Sequence, residues 1–331
     1  MIANMPNSKT QFSTVTTMDD DREEMTPAMR WITIVPLLAL LLLASADPAP
    51  AQTSAAGNSH LVTRGEIDEK TLSAIGRGLR ANPQDARDYG MIPTGLTPRF
   101  DNINCFDIDD GWAIDYTEKR GRDAMHGGID IPAPRGTPLL AVAAGEVVAK
   151  FPGEEQADGT QIWLRHSPDD TGLPVWTYTQ YAHLLELPDL ALGRRVQRGE
   201  AIGRTSNSGI SGEEAREKSG GGGGAGGKRA RALERRDAVH FAVVYSDGPQ
   251  FHRDERRIVP KGGRWMDPIA FYRGVGPFDS AVLRALPADQ KTVTIPYTST
   301  DGTLSPAATK VIWPYACSPS ALPATRRNPA R

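Results

Sequence analysis

The sequence predicts a mainly β protein, built around one small antiparallel β-sheet domain at residues 101–274. In that range short apolar runs are separated by turn residues, and few stretches show the period of a long helix. The chain has 331 residues, and the spread of its 33 glycines and 26 prolines favours one compact domain with irregular flanks. A formal net charge of −2 excludes a general nucleic-acid-binding protein, which would carry a strong basic excess.

Residues 29–51 have the parts of a secretory signal. Arg30 precedes an apolar run at 31–43, and the small-residue site Ala44-Ser45-Ala46 follows it. The run is shorter than the about 20 residues that a transmembrane helix needs. We therefore expect an exported protein of the periplasm or cell envelope, with an uncleaved membrane anchor at 31–46 as the alternative.

The N-terminal flank divides into three predicted parts. Residues 1–28 are disordered or precede the true start, because an acidic stretch is unusual ahead of a signal and initiation at Met25 or Met29 would remove it. Residues 52–100 are predicted to be a linker with one short helix, around 67–79. A connector punctuated by proline and glycine follows at 82–98 and is expected to be a linker or the edge of a lid.

The predicted domain has several strand-like stretches, which lie at 128–131, 138–150, 161–166, 175–184 and 239–245. Residues 212–236 interrupt it with five consecutive glycines and the basic run Lys228-Arg229-Ala230-Arg231. This insertion has no apolar face, so we predict a flexible loop whose basic residues are solvated or touch an anionic polymer. Residues 275–331 are a Pro-rich C-terminal extension with one expected hairpin, between 292–297 and 310–313.

The chain has two cysteines, Cys105 and Cys317. In an oxidising compartment they could pair and tie the C-terminal extension to the start of the domain. A loop of that length would stabilise the fold by about 5 kcal/mol in the chain-entropy model. Two unpaired thiols are the alternative.

Four histidines lie in or beside the strand-like stretches. His126 and Asp130 flank a Gly-Gly pair, which would let the backbone fold tightly and bring an imidazole and a carboxylate to one ion. On a strand, the side chain of His240 points away from those of Val239 and Phe241. It is therefore either a metal ligand in a cleft or a surface histidine. His183 and His166 each end a strand. Taken singly, any of the four is as readily an ordinary structural residue.

Taken together, these stretches resemble the lysostaphin-type (LytM-like) zinc metalloendopeptidases, a family of peptidoglycan hydrolases. The resembling stretches occur in the family's order and cover about half of the chain. They are His126 to Pro138, Ala141 to Val147, Tyr178 to Leu184, Gly193 to Gly203, His240 to Val243, and Asp267-Pro268.

The resemblance implies an antiparallel β domain with a groove that carries one zinc ion, held by His126, Asp130 and His240. Two imidazoles and one carboxylate suit Zn²⁺ and leave a fourth position for water. The resemblance further implies that His183 is catalytic beside the metal, in proton transfer or in stabilising charge. The implied function is hydrolysis of peptide cross-links in bacterial peptidoglycan by metal-activated water.

The chain departs from the family pattern at Ala238, where the family has the first histidine of its His-x-His motif. A strand places Ala238 on the same face as His240, so the change removes a group from the reaction zone. His252 is a candidate replacement. The departure leaves an alternative function: a weak or inactive peptidase-fold module that binds cell wall or activates another wall hydrolase, such as an amidase. A secreted β-sandwich with incidental histidines is a third interpretation.

Overall fold

A computed structural model of the protein describes residues 60–76, 82–108, 115–117, 124–153, 156–209 and 236–319. The predicted signal segment and the insertion up to residue 235 lie outside these ranges. Among the described residues, none forms a helix with the length and apolar character needed to cross a membrane.

The described chain is mainly strand. The strands are β1 (Thr97–Arg99), β2 (Asp115–Thr117), β3 (Ala124–His126), β4 (Ile129–Pro132), β5 (Pro138–Leu140), β6 (Gly145–Phe151), β7 (Gln161–His166), β8 (Trp176–Ala182), β9 (Arg195–Val196), β10 (Ala201–Arg204), β11 (Ala238–Ser246), β12 (Phe251–Arg253), β13 (Ile258–Pro260), β14 (Arg264–Met266), β15 (Thr292–Thr294), β16 (Tyr297–Thr298) and β17 (Leu304–Ser305). The helical segments are short: Arg64–Glu66, Glu69–Thr71, Leu72–Gly76, Pro83–Asp88, Pro168–Thr171, Pro268–Phe271, Ser280–Arg284 and Ala288–Gln290.

A seven-stranded antiparallel sheet organises the domain. Its strand order is β14-β11-β8-β7-β6-β9, and β4 also pairs with β11. The longest pairing joins β8 and β11, in register from His240 opposite Ala182 to Ser246 opposite Trp176. The prediction of a mainly β, antiparallel fold is therefore confirmed, and the stretch 161–166 is strand β7 residue for residue.

The central strands are buried on both faces, because each face packs against its own apolar cluster. Along β11, Val239 and Phe241 enter one cluster, whereas Ala242 and Val244 enter the other. This alternation is the two-residue period of a strand. His240 accordingly lies on the face opposite Val239 and Phe241, as the sequence predicted.

The N-terminal flank covers one face of the sheet. The predicted helix at 67–79 is a turn of α-helix, Glu69–Thr71, that continues as a π-helix to Gly76. The connector at 82–98 contains helix Pro83–Asp88 and the start of strand β1. Asn82 caps that helix through Oδ1, which accepts from the amide of Gln84, and Pro83 occupies its first turn. Asn-Pro is a helix start as well as a turn signal.

The C-terminal flank completes the other face. The predicted hairpin between 292–297 and 310–313 is wrong: β15 pairs in parallel with β1, and β16 pairs with β17. Trp313 and Tyr315 are fully buried in the cluster on this face. The disulfide predicted between Cys105 and Cys317 is confirmed, with Cα atoms 4.5 Å apart, and the alternative of unpaired thiols is wrong.

Candidate metal centre

Two neighbouring strands and one short loop bring three predicted ligands together. Asp130 on β4 and His240 on β11 are directly opposed in the antiparallel register. His126 ends β3, and only three residues separate it from Asp130. His126 Nε2 lies 3.1 Å from Asp130 Oδ1, and His240 Nδ1 lies 3.1 Å from both atoms. The three donor atoms thus form a nearly equilateral triangle.

The two glycines between His126 and Asp130 are a steric requirement of this triangle. A Cβ atom at Gly127 would lie 2.7 Å from the Trp265 ring. One at Gly128 would lie 2.4 Å from the carbonyl oxygen of Phe241 and 2.9 Å from His240 Nε2. The loop can therefore pass close to β11 only because neither residue has a side chain.

The donor triangle fits a zinc ion. Zinc bonds to imidazole nitrogen and carboxylate oxygen are about 2.1 Å long, so two ligands of a tetrahedral ion are about 3.4 Å apart. The observed distances of 3.1 Å between the donor atoms are close to this ligand-to-ligand distance. The side chains are 11 to 13% exposed, which leaves an approach for a fourth ligand. Among the described residues, the histidine, cysteine, aspartate or glutamate side chains that could hold one ion in a group of three or more are those of His126, Asp130 and His240.

His183 lies beside the triangle without belonging to it. Its ring centroid is 6.1 Å from that of His240. Nδ1 lies 2.9 Å from the carbonyl oxygen of Ser208, and because a carbonyl only accepts, Nδ1 is the donor. The backbone of His183 is in the left-handed region, with φ of 64°. That conformation is uncommon outside glycine, although histidine adopts it more readily than most residues.

Ala238 is the first residue of β11 and lies opposite Pro132 of β4. It is buried, on the strand face that it shares with His240. Its amide donates to the carbonyl of Ser206, whose own amide donates to the carbonyl of His183. Ala238 and His183 are thus linked through the backbone of Ser206, and Ala238 has a methyl group where the family resemblance implies an imidazole.

The other candidate histidines have structural surroundings. His166 is fully buried, where Nδ1 donates to the carbonyl of Ala144 at 2.7 Å and Nε2 accepts from the Thr179 hydroxyl at 2.8 Å. Burial lowers its pKa to about 4. His252 lies on the separate β12–β13 pair. Its Nδ1 atom is 3.2 Å from the carbonyl oxygen of Val62. His252 as a replacement for the missing histidine is therefore not supported by its position.

Asp267, in the last stretch of the family resemblance, is also structural. Its Oδ1 accepts from the amide of Ile269 and caps helix Pro268–Phe271. The Thr94 hydroxyl donates to Oδ2. Burial raises the pKa of this carboxyl to about 6.

Sequence reasoning missed Ser206 and Ser208, which contact His183 through backbone atoms. Backbone contacts leave no residue-type signal, so no pattern in the chain could have identified them.

Comparison with known proteins gives a match over the part of the chain that contains most of the candidate site. Residues 124–217 match the family model described as Peptidase family M23. The matched range contains His126, Asp130 and His183, and it ends before His240.

Similar solved structures include the catalytic domain of the antimicrobial peptidase lysostaphin from Staphylococcus simulans. It is 19% identical, with 57% of this chain and 96% of that chain covered and a TM-score of 0.28. A mutant catalytic domain of the prophage-encoded M23 protein EnpA from Enterococcus faecalis is 20% identical, over 40% of this chain and 78% of that chain, with a TM-score of 0.26. A zinc containing peptidase from Vibrio cholerae is 21% identical, over 43% and 36% of the two chains, with a TM-score of 0.26. The match of residues 124–217 to the model of peptidase family M23 confirms the resemblance found in the sequence.

Proposed function

We propose that the protein is a zinc metalloendopeptidase that hydrolyses peptide cross-links of bacterial peptidoglycan. The observation that carries the proposal is the convergence of His126, Asp130 and His240 on one point, with donor atoms 3.1 Å apart. Two imidazoles and a carboxylate are a donor set that zinc uses in catalytic sites, where a fourth position stays open. When bound there, zinc would supply a Lewis acid for the scissile carbonyl and an acidified water.

The fold sets the backbone positions of the three proposed ligands. Asp130 and His240 are fixed by strand register, and His126 by the glycine turn packed under Trp265. Such preorganisation keeps the donor geometry from depending on flexible side chains.

His183 is the residue proposed to move a proton. Its Nδ1 is engaged with the Ser208 carbonyl, so Nε2 is the ring nitrogen through which it can exchange a proton with the reacting groups. In the neutral ring the proton is on Nδ1, so Nε2 first accepts a proton from the attacking water. The protonated ring can then stabilise charge on the substrate oxygen or hand that proton to the leaving amine. Ala238 stands where the family resemblance implies a second imidazole, so this role is assigned to His183.

Ala238 supports the alternative function, a weak or inactive module that binds wall peptides or activates a wall hydrolase such as an amidase. Loss of one general acid or base lowers a rate by about 10²- to 10⁴-fold. The intact donor triangle favours the enzyme, since a module that only binds peptides has little chemical need for three converging ligands.

Export to the periplasm or cell envelope is part of the proposal. The Cys105–Cys317 disulfide supports it, because structural disulfides persist mainly in oxidising compartments. Peptidoglycan, the proposed substrate, also lies outside the cytoplasmic membrane. Fractionation of cells that produce the chain, with and without residues 29–51, tests this part.

The deciding experiment is digestion of purified sacculi by the zinc-loaded protein, with and without a chelator. We expect released peptide fragments, no release after chelation, and no release by His240→Ala. An Ala238→His variant should release fragments faster, because it restores the second imidazole. Sacculi that bind the protein without any release, for both the wild type and Ala238→His, would overturn the enzyme and leave the binding module.

A further inference from the structure

His183 is held by two loops, which we call the 156–160 loop and the 205–209 loop. From the first, the Asp158 carbonyl accepts the amide of His183 at 3.1 Å. From the second, the amide of Ser206 donates to the His183 carbonyl at 3.0 Å, and the Ser208 carbonyl accepts from Nδ1 at 2.9 Å. Main-chain groups of the two loops thus fix both the strained backbone of His183 and its ring.

The two loops touch each other through glycines. A Cβ atom on Gly159 would lie 2.3 Å from the carbonyl oxygen of Ser208, the oxygen that accepts from His183. A Cβ atom on Gly209 would lie 2.5 Å from the amide nitrogen of Gly159. The amide of Thr160 also donates to the Ser208 hydroxyl at 3.1 Å. The position of the Ser208 carbonyl therefore depends on the bare backbone of Gly159.

We infer that Gly159 is a positioning residue for His183: its missing side chain lets the Ser208 carbonyl hold the imidazole in one orientation, with the proton on Nδ1. An ordinary contact begins at about 3.4 Å, so a methyl group at 2.3 Å would displace one of the loops by about 1 Å. Both loops hold His183, so either displacement moves the ring or breaks its Nδ1 hydrogen bond. The catalytic relevance of this inference rests on the role of His183 in the proposed function.

The chain offers a matched control for the test. Gly159 has φ of +61°, and Gly262 has φ of +65° with no atom within 4 Å of a built Cβ. Gly159→Ala and Gly262→Ala therefore introduce the same backbone strain. Only Gly159→Ala adds a collision with the Ser208 carbonyl. A difference between the two variants reports the collision and not the strain.

The experiment records ring ¹⁵N spectra of the zinc-loaded protein, labelled at histidine, at one pH of about 8, where an ordinary imidazole is neutral. The His183 signals are assigned from their absence in His183→Gln. We expect Nδ1 to carry the proton in the wild type and in Gly262→Ala. Gly159→Ala should show the other tautomer or a mixture of both. Its kcat on sacculi should fall about 10²-fold with little change in KM, as a displacement of about 1 Å predicts.

Wild-type spectra and wild-type kcat in Gly159→Ala would overturn the inference. If Gly159→Ala does not fold, Ser208→Ala provides the second test, because it removes the hydroxyl that accepts from Thr160 without adding an atom. It should shift the His183 spectrum in the same direction by a smaller amount, and an unchanged spectrum would count against the inference. The spectra do not require turnover, so sacculi that resist the wild-type protein would contradict the proposed function while leaving this test valid.

Discussion

His240 and Asp130 face each other across adjacent antiparallel strands, with Nδ1 of one 3.1 Å from Oδ1 of the other. Their Cα atoms are paired in the β4–β11 register, so the contact is a property of the sheet and not of one flexible side chain. A slip of one residue in that register would turn one of the two side chains to the opposite face. The geometry of the candidate metal centre therefore depends on the pairing of β4 with β11.

The first prediction separates the proposed metal ligands from the proposed catalytic residue. Asp130→Ala and His240→Ala each remove one of three donors, and we expect both variants to lose stoichiometric zinc. His183→Ala should keep its zinc and lose about 10²- to 10⁴-fold in turnover, because His183 lies outside the donor triangle. Metal analysis of the dialysed proteins, together with sacculus digestion, measures both effects. Zinc retention by His240→Ala would contradict the ligand assignment.

The second prediction concerns the glycine turn. Gly128→Ala would place a Cβ atom 2.4 Å from the Phe241 carbonyl and 2.9 Å from His240 Nε2. We expect β11 and the His240 ring to be pushed from their positions, with zinc affinity falling by a factor of ten or more, since even partners of the ligands change affinity about 10- to 100-fold. Competition with a chromogenic chelator measures this. Gly65→Ala is the control, because a Cβ atom there meets nothing within 4 Å.

The third prediction is a pH dependence of stability that originates at His166. Burial lowers its folded pKa from 6.5 to about 4, so between these values the unfolded chain binds a proton that the native state does not. Stability that is present above pH 6.5 is then lost as the pH falls towards 4, by about 3 kcal/mol for this group.

The measurement is urea unfolding of the metal-free wild type and His166→Asn at several pH values. The amide of asparagine can still donate to the Ala144 carbonyl but does not titrate. The variant should be less stable at neutral pH, and its difference from the wild type should shrink as the pH falls. Parallel pH curves would show that His166 does not contribute in this way.

The fourth prediction concerns the disulfide. Cys105 and Cys317 are 212 residues apart, and a cross-link over a loop that long stabilises by about 5 kcal/mol at most in the chain-entropy model. We expect Cys317→Ser to lower the free energy of unfolding by several kcal/mol. A reductant should lower the wild type to the same level and leave the variant unchanged. Equal stability of the oxidised and reduced wild type would contradict the prediction.

Local patterns in the sequence predicted the sheet, whereas a family resemblance predicted the metal ligands. Strands β7, β8 and β11 contain many apolar, aromatic and β-branched residues and are flanked by turn residues, and that signal is local. His126, Asp130 and His240 were identified through a family resemblance, since no single one of them exceeds what a structural histidine or aspartate would show. The register that joins Asp130 to His240 confirms that they are neighbours.

The flanks could not be predicted in the same way. The parallel pairing of β1 with β15 joins residues almost 200 positions apart, and each strand has only three residues. Neither has a period long enough to indicate a partner. The contacts of Ser206 and Ser208 with His183 were also invisible, because they use backbone groups that every residue possesses.

The burial of Trp313 and Tyr315 indicates how much of the chain beyond the family match is needed for the domain to fold. Both rings are fully buried among side chains of the seven-stranded sheet and its neighbours, although they lie about a hundred residues beyond the end of the matched range at 217. A protein shortened to residue 274 would leave a void the size of two aromatic rings against that sheet, and large-to-small changes in a core already cost about 3 to 5 kcal/mol per aromatic side chain. The segment that looks dispensable in composition is thus part of the interior, and recombinant fragments intended for crystallisation should extend through residue 319.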